Sequence, residues 1–185
     1  MKANQLYIYG GLAALLALLT RPGQKAASAL AGALAGYGLD GALTVQQVRA
    51  LADQTVGNFF PGIDPRMLVA MAWIESSFRP TAFRIEITIQ DASIGLMQTL
   101  GGTARWLWDI GYKGFGERPS DLALADPAVS MYFGAAYVDY LMKYRGGGHS
   151  EEWIVRAYNG GPGGATSAAT LNHWRKYQEA RARYG

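Results

Sequence analysis

From Asp64-Pro65 to Glu75 the chain reads Asp-Pro-Arg-Met-Leu-Val-Ala-Met-Ala-Trp-Ile-Glu. An acid followed by proline starts a helix: the carboxylate caps free N–H groups, and proline fits the first helical position. From Met67 to Ile74 the segment is then apolar on nearly every side. A helix without a water-facing stripe has to be covered by other elements. The rest of the chain must supply that cover. Glu75 closes the run on the stripe of Leu68, Met71 and Ala72, so its carboxyl group is expected to be partly stripped of water. Desolvation disfavours a charged carboxylate, and a carboxylic acid that keeps its proton is suited to general acid work. Read alone, Glu75 is more simply a helix-end acid facing water or pairing with Arg79.

The other signals are also helical. Thr44-Val45-Gln46-Gln47 has the pattern of a capping box and opens a helix ending near Gly57. Gly102-Thr103 begins one through Trp106, Leu107 and Ile110, and Asp126-Pro127 begins a long one through Tyr144. Ser150 with Glu151 and Glu152 caps a helix to Asn159, and a last helix occupies about Thr166 to Arg183. Strand alternation is confined to Phe83 to Ile89, where a short strand or hairpin arm is expected. The fold class is mainly α.

Cysteine is absent, which excludes disulfides, a thiol nucleophile and thiolate metal sites. His149 and His173 fall in a Gly-rich loop and a polar helix, have no neighbour at metal-ligand spacing, and are read as surface histidines. The net charge of +3 suits an anionic polymer or a membrane surface and is too small to point to nucleic acid. Arg175, Lys176, Arg181 and Arg183 are read as a solvated helix face.

Residues 6–19 are uncharged and mostly Leu, Ala, Gly and Tyr. They fall short of the ~20 residues a spanning helix needs, and fit a signal-peptide core, a membrane-dipping helix or a buried helix. A second uncharged stretch of small residues, 26–39, holds Gly32 and Gly36 at a spacing that lets helices approach closely. These stretches either pack on the rest of the chain or form a hydrophobic hairpin that contacts a membrane or a larger assembly through residues 6–39. Anchoring is favoured, because the helical part is large enough to fold without them. Gly38-Leu39-Asp40-Gly41 reads as a linker. The chain therefore divides into a hydrophobic segment, 1–41, and a helical domain, 42–185.

Three short motifs remain. They are Glu75-Ser76-Ser77-Phe78-Arg79-Pro80; Ser93-Ile94-Gly95-Leu96-Met97-Gln98, with Thr103-Ala104 after it; and Ala157-Tyr158-Asn159-Gly160-Gly161-Pro162-Gly163. In this order and at these separations they resemble the lytic transglycosylase (SLT) branch of the lysozyme superfamily, over roughly Val56 to Tyr177. The resemblance implies a lysozyme-like helical domain that cuts peptidoglycan glycan strands, with Glu75 as its acid. It implies that Ser76 helps hold the reacting sugar and that Gly95, Leu96, Met97 and Gln98 line the sugar cleft. It also implies that Tyr158 orients Glu75 and that Asn159 binds substrate. Two features depart from the pattern. Gly101-Gly102 stands where the family often has proline, and Arg84-Ile85-Glu86 stands where many members have a shorter polar loop.

By the same resemblance Glu75 protonates the β-1,4 bridging oxygen between N-acetylmuramic acid and N-acetylglucosamine. It then takes the proton of the muramoyl C6 hydroxyl, which closes on C1 to give a 1,6-anhydro product. No metal and no cofactor are needed. Hydrolysing glycosidases usually use a second carboxylate, and the candidates are Glu86 and Asp91. Goose-type lysozymes share the acid and the Gly-Leu-Met-Gln region but use further aspartates, so a hydrolysing muramidase ranks second. A third reading is a non-catalytic protein that only holds glycan. The expected partner is peptidoglycan, not nucleic acid. The expected setting is the periplasm or cell envelope, with a membrane anchor, or else a phage virion acting on the host wall.

Overall fold

The computed structural model describes residues 41–185. The two hydrophobic stretches, the Gly32/Gly36 spacing and most of the expected linker lie outside the described residues. Six helices, a small sheet and short 3-10 turns follow. They are α1 (Val45–Phe59), α2 (Pro65–Ser76), β1 (Phe83–Glu86), β2 (Asp91–Ile94), β3 (Thr99–Leu100), α3 (Gly101–Asp109), α4 (Pro127–Lys143), α5 (Glu151–Gly164) and α6 (Ala168–Tyr184). No helix among the described residues is long and apolar enough to cross a membrane.

The all-apolar helix is α2, and every residue from Met67 to Ala72 is buried. Its cover comes from α1, α4 and α6. α4 also packs on α1 and α5, and α5 on α6, so the helices close around one apolar core. The caps read from the sequence are in place. Thr44 and Gln47 form a capping box, Asp64 accepts the N–H of Arg66 at 2.9 Å, Asp126 that of Ala128 at 2.8 Å, and Ser150 that of Trp153 at 3.2 Å. Each satisfies N–H groups that a helix cannot bond within itself.

The three strands form one antiparallel sheet in the order β1-β2-β3, with Glu86 opposite Asp91 and Ile94 opposite Thr99. The brief alternation at residues 83–89 thus marks a real strand, but its isoleucines do not enter the core: Ile87 is 83% and Ile89 57% exposed. β2 and β3 are joined by Gly95-Leu96-Met97-Gln98, a tight turn in which Gly95 has φ +81° and Gln98 φ +47°. The predicted C-terminal solvated face is also modified. Arg175, Lys176 and Arg183 are exposed, but Arg181 turns inward and its Nη2 donates to Asp64 at 2.5 Å.

Candidate active site

Glu75 occupies the last turn of α2. The helix stops there because Ser77 and Phe78 take left-handed conformations, φ +53° and +64°, which turn the buried Phe78 ring back under the helix. Glu75 therefore stands at a helix end yet keeps only 13% of its side chain exposed. It lines a cleft of about 370 Å³.

The second and third motifs meet this helix end through hydrogen bonds. Ser76 Oγ is buried, 2.8 Å from the Leu96 carbonyl and 3.0 Å from that of Ala72. The Tyr158 hydroxyl donates to the Met97 carbonyl at 2.9 Å and lies 3.2 Å from Thr99 Oγ1. Burial, and after it the charge of Glu75, push the Tyr158 phenol well above the usual tyrosine range. It stays a neutral donor beside the acid. Gln98 spends both amide hydrogens on backbone carbonyls, of Ala82 at 2.9 Å and Gly95 at 3.0 Å. What it can offer a ligand is its carbonyl oxygen, an acceptor.

The eight residues expected at the site separate into two groups. Glu75, Gln98, Tyr158 and Asn159 line the cleft. Ser76, Gly95, Leu96 and Met97 are buried behind it. Met97 has no exposed surface and packs its side chain on the backbone of Gly134, where an added Cβ would sit 2.6 Å from it. These four form the frame that holds the lining residues.

The two candidates for a second carboxylate separate in the same way. Glu86 lines the cleft, but its Oε1 accepts Arg84 Nε at 2.7 Å and Ser93 Oγ at 3.0 Å. Glu86 and Arg84 thus form an ion pair on the wall of the cleft. Asp91 is turned away. Its Oδ2 accepts the Gly102 N–H at 2.9 Å, capping α3, whose own cap position is Leu100 and has no oxygen to give.

Tyr137 and His173 are among the residues at the site that were not anticipated. Tyr137 of α4 lines the cleft with its ring 5.2 Å from that of Tyr158, and burial pushes its phenol up to about 12. His173, read as a surface histidine, is not one: only 12% of its side chain is exposed, and its Nε2 lies 3.3 Å from Glu75 Oε1. The signal was periodicity. Thr170, Tyr177 and Ala180 form the buried stripe of α6, and His173 falls on it at helical spacing. His149 is also half-buried, stacked on Trp153 with ring centroids 3.8 Å apart.

The chain is similar to known proteins in sequence and in fold. A curated relative, the membrane-bound lytic murein transglycosylase C of Photorhabdus laumondii, is 32% identical over 136 residues, 65% of this chain. The match spans 36% of that relative's length. Among solved structures, an inactive mutant of the lytic transglycosylase Slt from Pseudomonas aeruginosa shares the fold. Its TM-score is 0.52 at 23% identity, over 74% of this chain and 22% of that one. The family model described as "Transglycosylase SLT domain" matches residues 60–181. That match takes in the acid on α2, the turn between β2 and β3 and the Tyr-Asn pair on α5, and by it the chain belongs to the transglycosylase SLT domain family.

Proposed function

We propose that this chain is a peptidoglycan lytic transglycosylase that cleaves the β-1,4 bond between N-acetylmuramic acid and N-acetylglucosamine, with Glu75 as its single acid and base. The observation that carries the reading is the state of the two carboxylates lining the cleft. Glu86 is engaged by Arg84 and Ser93, whereas Glu75 faces the cleft with no lysine or arginine of the described residues on it.

Glu75 gives its proton to the bridging oxygen as the C1–O bond breaks. The C6 hydroxyl of the same muramoyl residue then bonds to C1 and returns a proton to Glu75. The product carries a 1,6-anhydro ring, and no water enters. A tethered nucleophile has an effective concentration on the order of 10⁵ M or more, so a second protein base is dispensable. Tyr158, whose hydroxyl proton goes to the Met97 carbonyl, ties the turn before Gln98 to α5, and Gln98 and Asn159 offer polar contacts to the sugar. The substrate places the site of action in the cell envelope, and we assign residues 6–39 to anchoring there.

The test is mass spectrometry of muropeptides released from purified sacculi. The expected products are one water lighter than hydrolytic ones, and Glu75→Gln lowers their release by about 10²–10⁴-fold. Products with free reducing ends would instead mark a hydrolysing muramidase and turn attention to Glu86, the second carboxylate of the cleft.

A further inference from the structure

We infer that His173 is a positioning residue for Glu75, holding one carboxylate oxygen so that the other is the one that carries the reacting proton. The inference rests on the reading of Glu75 as the acid. Three observations lead to it. Glu75 Oε1 and His173 Nε2 are both sealed from solvent, and among the described residues neither has a hydrogen-bond partner, the other included. They lie 3.3 Å apart, on helices α2 and α6 that pack directly on each other. Glu75 nonetheless lines the cleft, so with Oε1 sealed, the oxygen it presents there is Oε2.

Leaving a buried polar atom unpaired costs about 1–3 kcal/mol, so two such atoms 3.3 Å apart gain by bonding to each other. The present angle is poor for a hydrogen bond while the distance is close. Catalytic hydrogen bonds are often loose without substrate and tighten when it binds. With the Nε2–H tautomer, His173 donates to Oε1. A carboxyl group whose Oε1 accepts from His173 carries its own proton on Oε2, toward the bridging oxygen. When that proton has left, the same bond fixes the carboxylate, and the proton from the C6 hydroxyl returns to Oε2. His173 touches no substrate in this scheme: it is absent from the cleft wall. An apolar residue could fill the same space in α6, so packing alone does not call for an imidazole.

The experiment compares the full-length protein with His173→Leu, His173→Gln and Glu75→Gln on soluble glycan strands, following anhydro-product formation. Leucine keeps the bulk and removes the donor. Glutamine places an N–H near the Nε2 position. His173→Leu is expected to lower kcat on the order of 100-fold, the scale for a misplaced catalytic group, with KM unchanged. His173→Gln is expected to recover most of the loss, with both variants melting as the wild type does. An imidazole ¹⁵N spectrum should also show the proton on Nε2, with a signal that moves in Glu75→Gln. Wild-type kcat in His173→Leu, equal losses in both His173 variants, or an Nε2 signal indifferent to Glu75 would each overturn the inference while the enzyme stays active. A wild-type protein that releases no anhydro product would instead remove the functional reading, and this inference with it.

Discussion

Gly95 sits where no other residue fits. Its φ is +81°, and a Cβ there would lie 1.9 Å from the Leu124 carbonyl oxygen and 2.7 Å from Ser130 Oγ. A left-handed conformation costs a side chain about 1–2 kcal/mol, and crowding in a packed interior adds about 1–3 kcal/mol. The oxygen of Leu124 is backbone and cannot swing aside. Ser130 Oγ also accepts the Met97 N–H at 3.0 Å, so displacing it loosens the turn that carries Gln98. Gly95→Ala is therefore expected to destabilise the protein by about 3 kcal/mol, measured by urea unfolding, and to lower activity at temperatures where it remains folded. A change below about 1 kcal/mol would mean that the turn accommodates a side chain. This residue also shows the limit of motif reading. The Gly-Leu-Met-Gln pattern was legible, but not that only Gln98 of the four faces the cleft. Spacing along a chain does not tell a residue that touches a ligand from one that shapes the turn beneath it. His173 was harder still, because only the packing of α6 on α2 brings it to Glu75.

At the scale of elements, helix starts were legible because capping is local chemistry. Asp64, Asp126, Thr44 and Ser150 all accept N–H groups two or three residues ahead. The start of α3 was read at Gly102-Thr103, one residue from where it falls, but its cap was not foreseeable in this way, since it comes from Asp91 on a neighbouring strand. Asp64 adds a long-range role to its cap. Its carboxylate is held by Arg66, at 2.8 Å, and by Arg181 from α6. It thus ties the start of the helix bearing Glu75 to the helix bearing His173. The hydrogen bond from Arg66, foremost, holds the Asp64 carboxyl well below the usual range, with Arg181 adding to the effect. An unfolded aspartate titrates near 3.9. The depressed folded value means that this stabilisation is complete above about pH 4 and fades as pH falls toward the folded value. Asparagine caps a helix as well as aspartate, so Asp64→Asn removes the charge and keeps the cap. The carboxylate is a third exposed, which limits the effect to about 1 kcal/mol. Asp64→Asn is expected to melt about 2–4 °C lower at pH 7, with the gap to wild type closing as pH falls from 4 to 2. A gap that is constant with pH would show that the charge is not what stabilises.

At the scale of the whole molecule, we propose that residues 42–185 form one folding unit that carries the whole site. The chain from α1 onward is tied to itself at both ends. The Leu43 N–H donates to the Phe78 carbonyl at 2.9 Å, and Arg49 Nη2 donates to the Tyr184 carbonyl at 2.8 Å. These bonds pin the start of the domain to the turn behind Glu75 and the end of α6 to α1. One apolar core runs between them, from Val48 and Ala52 through α2 to Tyr177 and Ala180. A domain of about 150 residues buries roughly 68–70% of the surface of its unfolded chain, enough for cooperative folding without added staples. Glu75, Gln98, Tyr158, Asn159 and His173 all belong to this unit, so the chemistry does not call on residues 1–41. A protein beginning at Ala42 is therefore expected to unfold in one transition within about 3 °C of the full chain. It should also convert soluble glycan strands at the full-length rate. On intact sacculi the two proteins need not agree, because anchoring through residues 6–39 would raise the local concentration of enzyme at the wall. Loss of cooperative melting in the shorter protein would show that the N-terminal residues complete the fold. Equal melting with lost turnover of soluble strands would place part of the site in them.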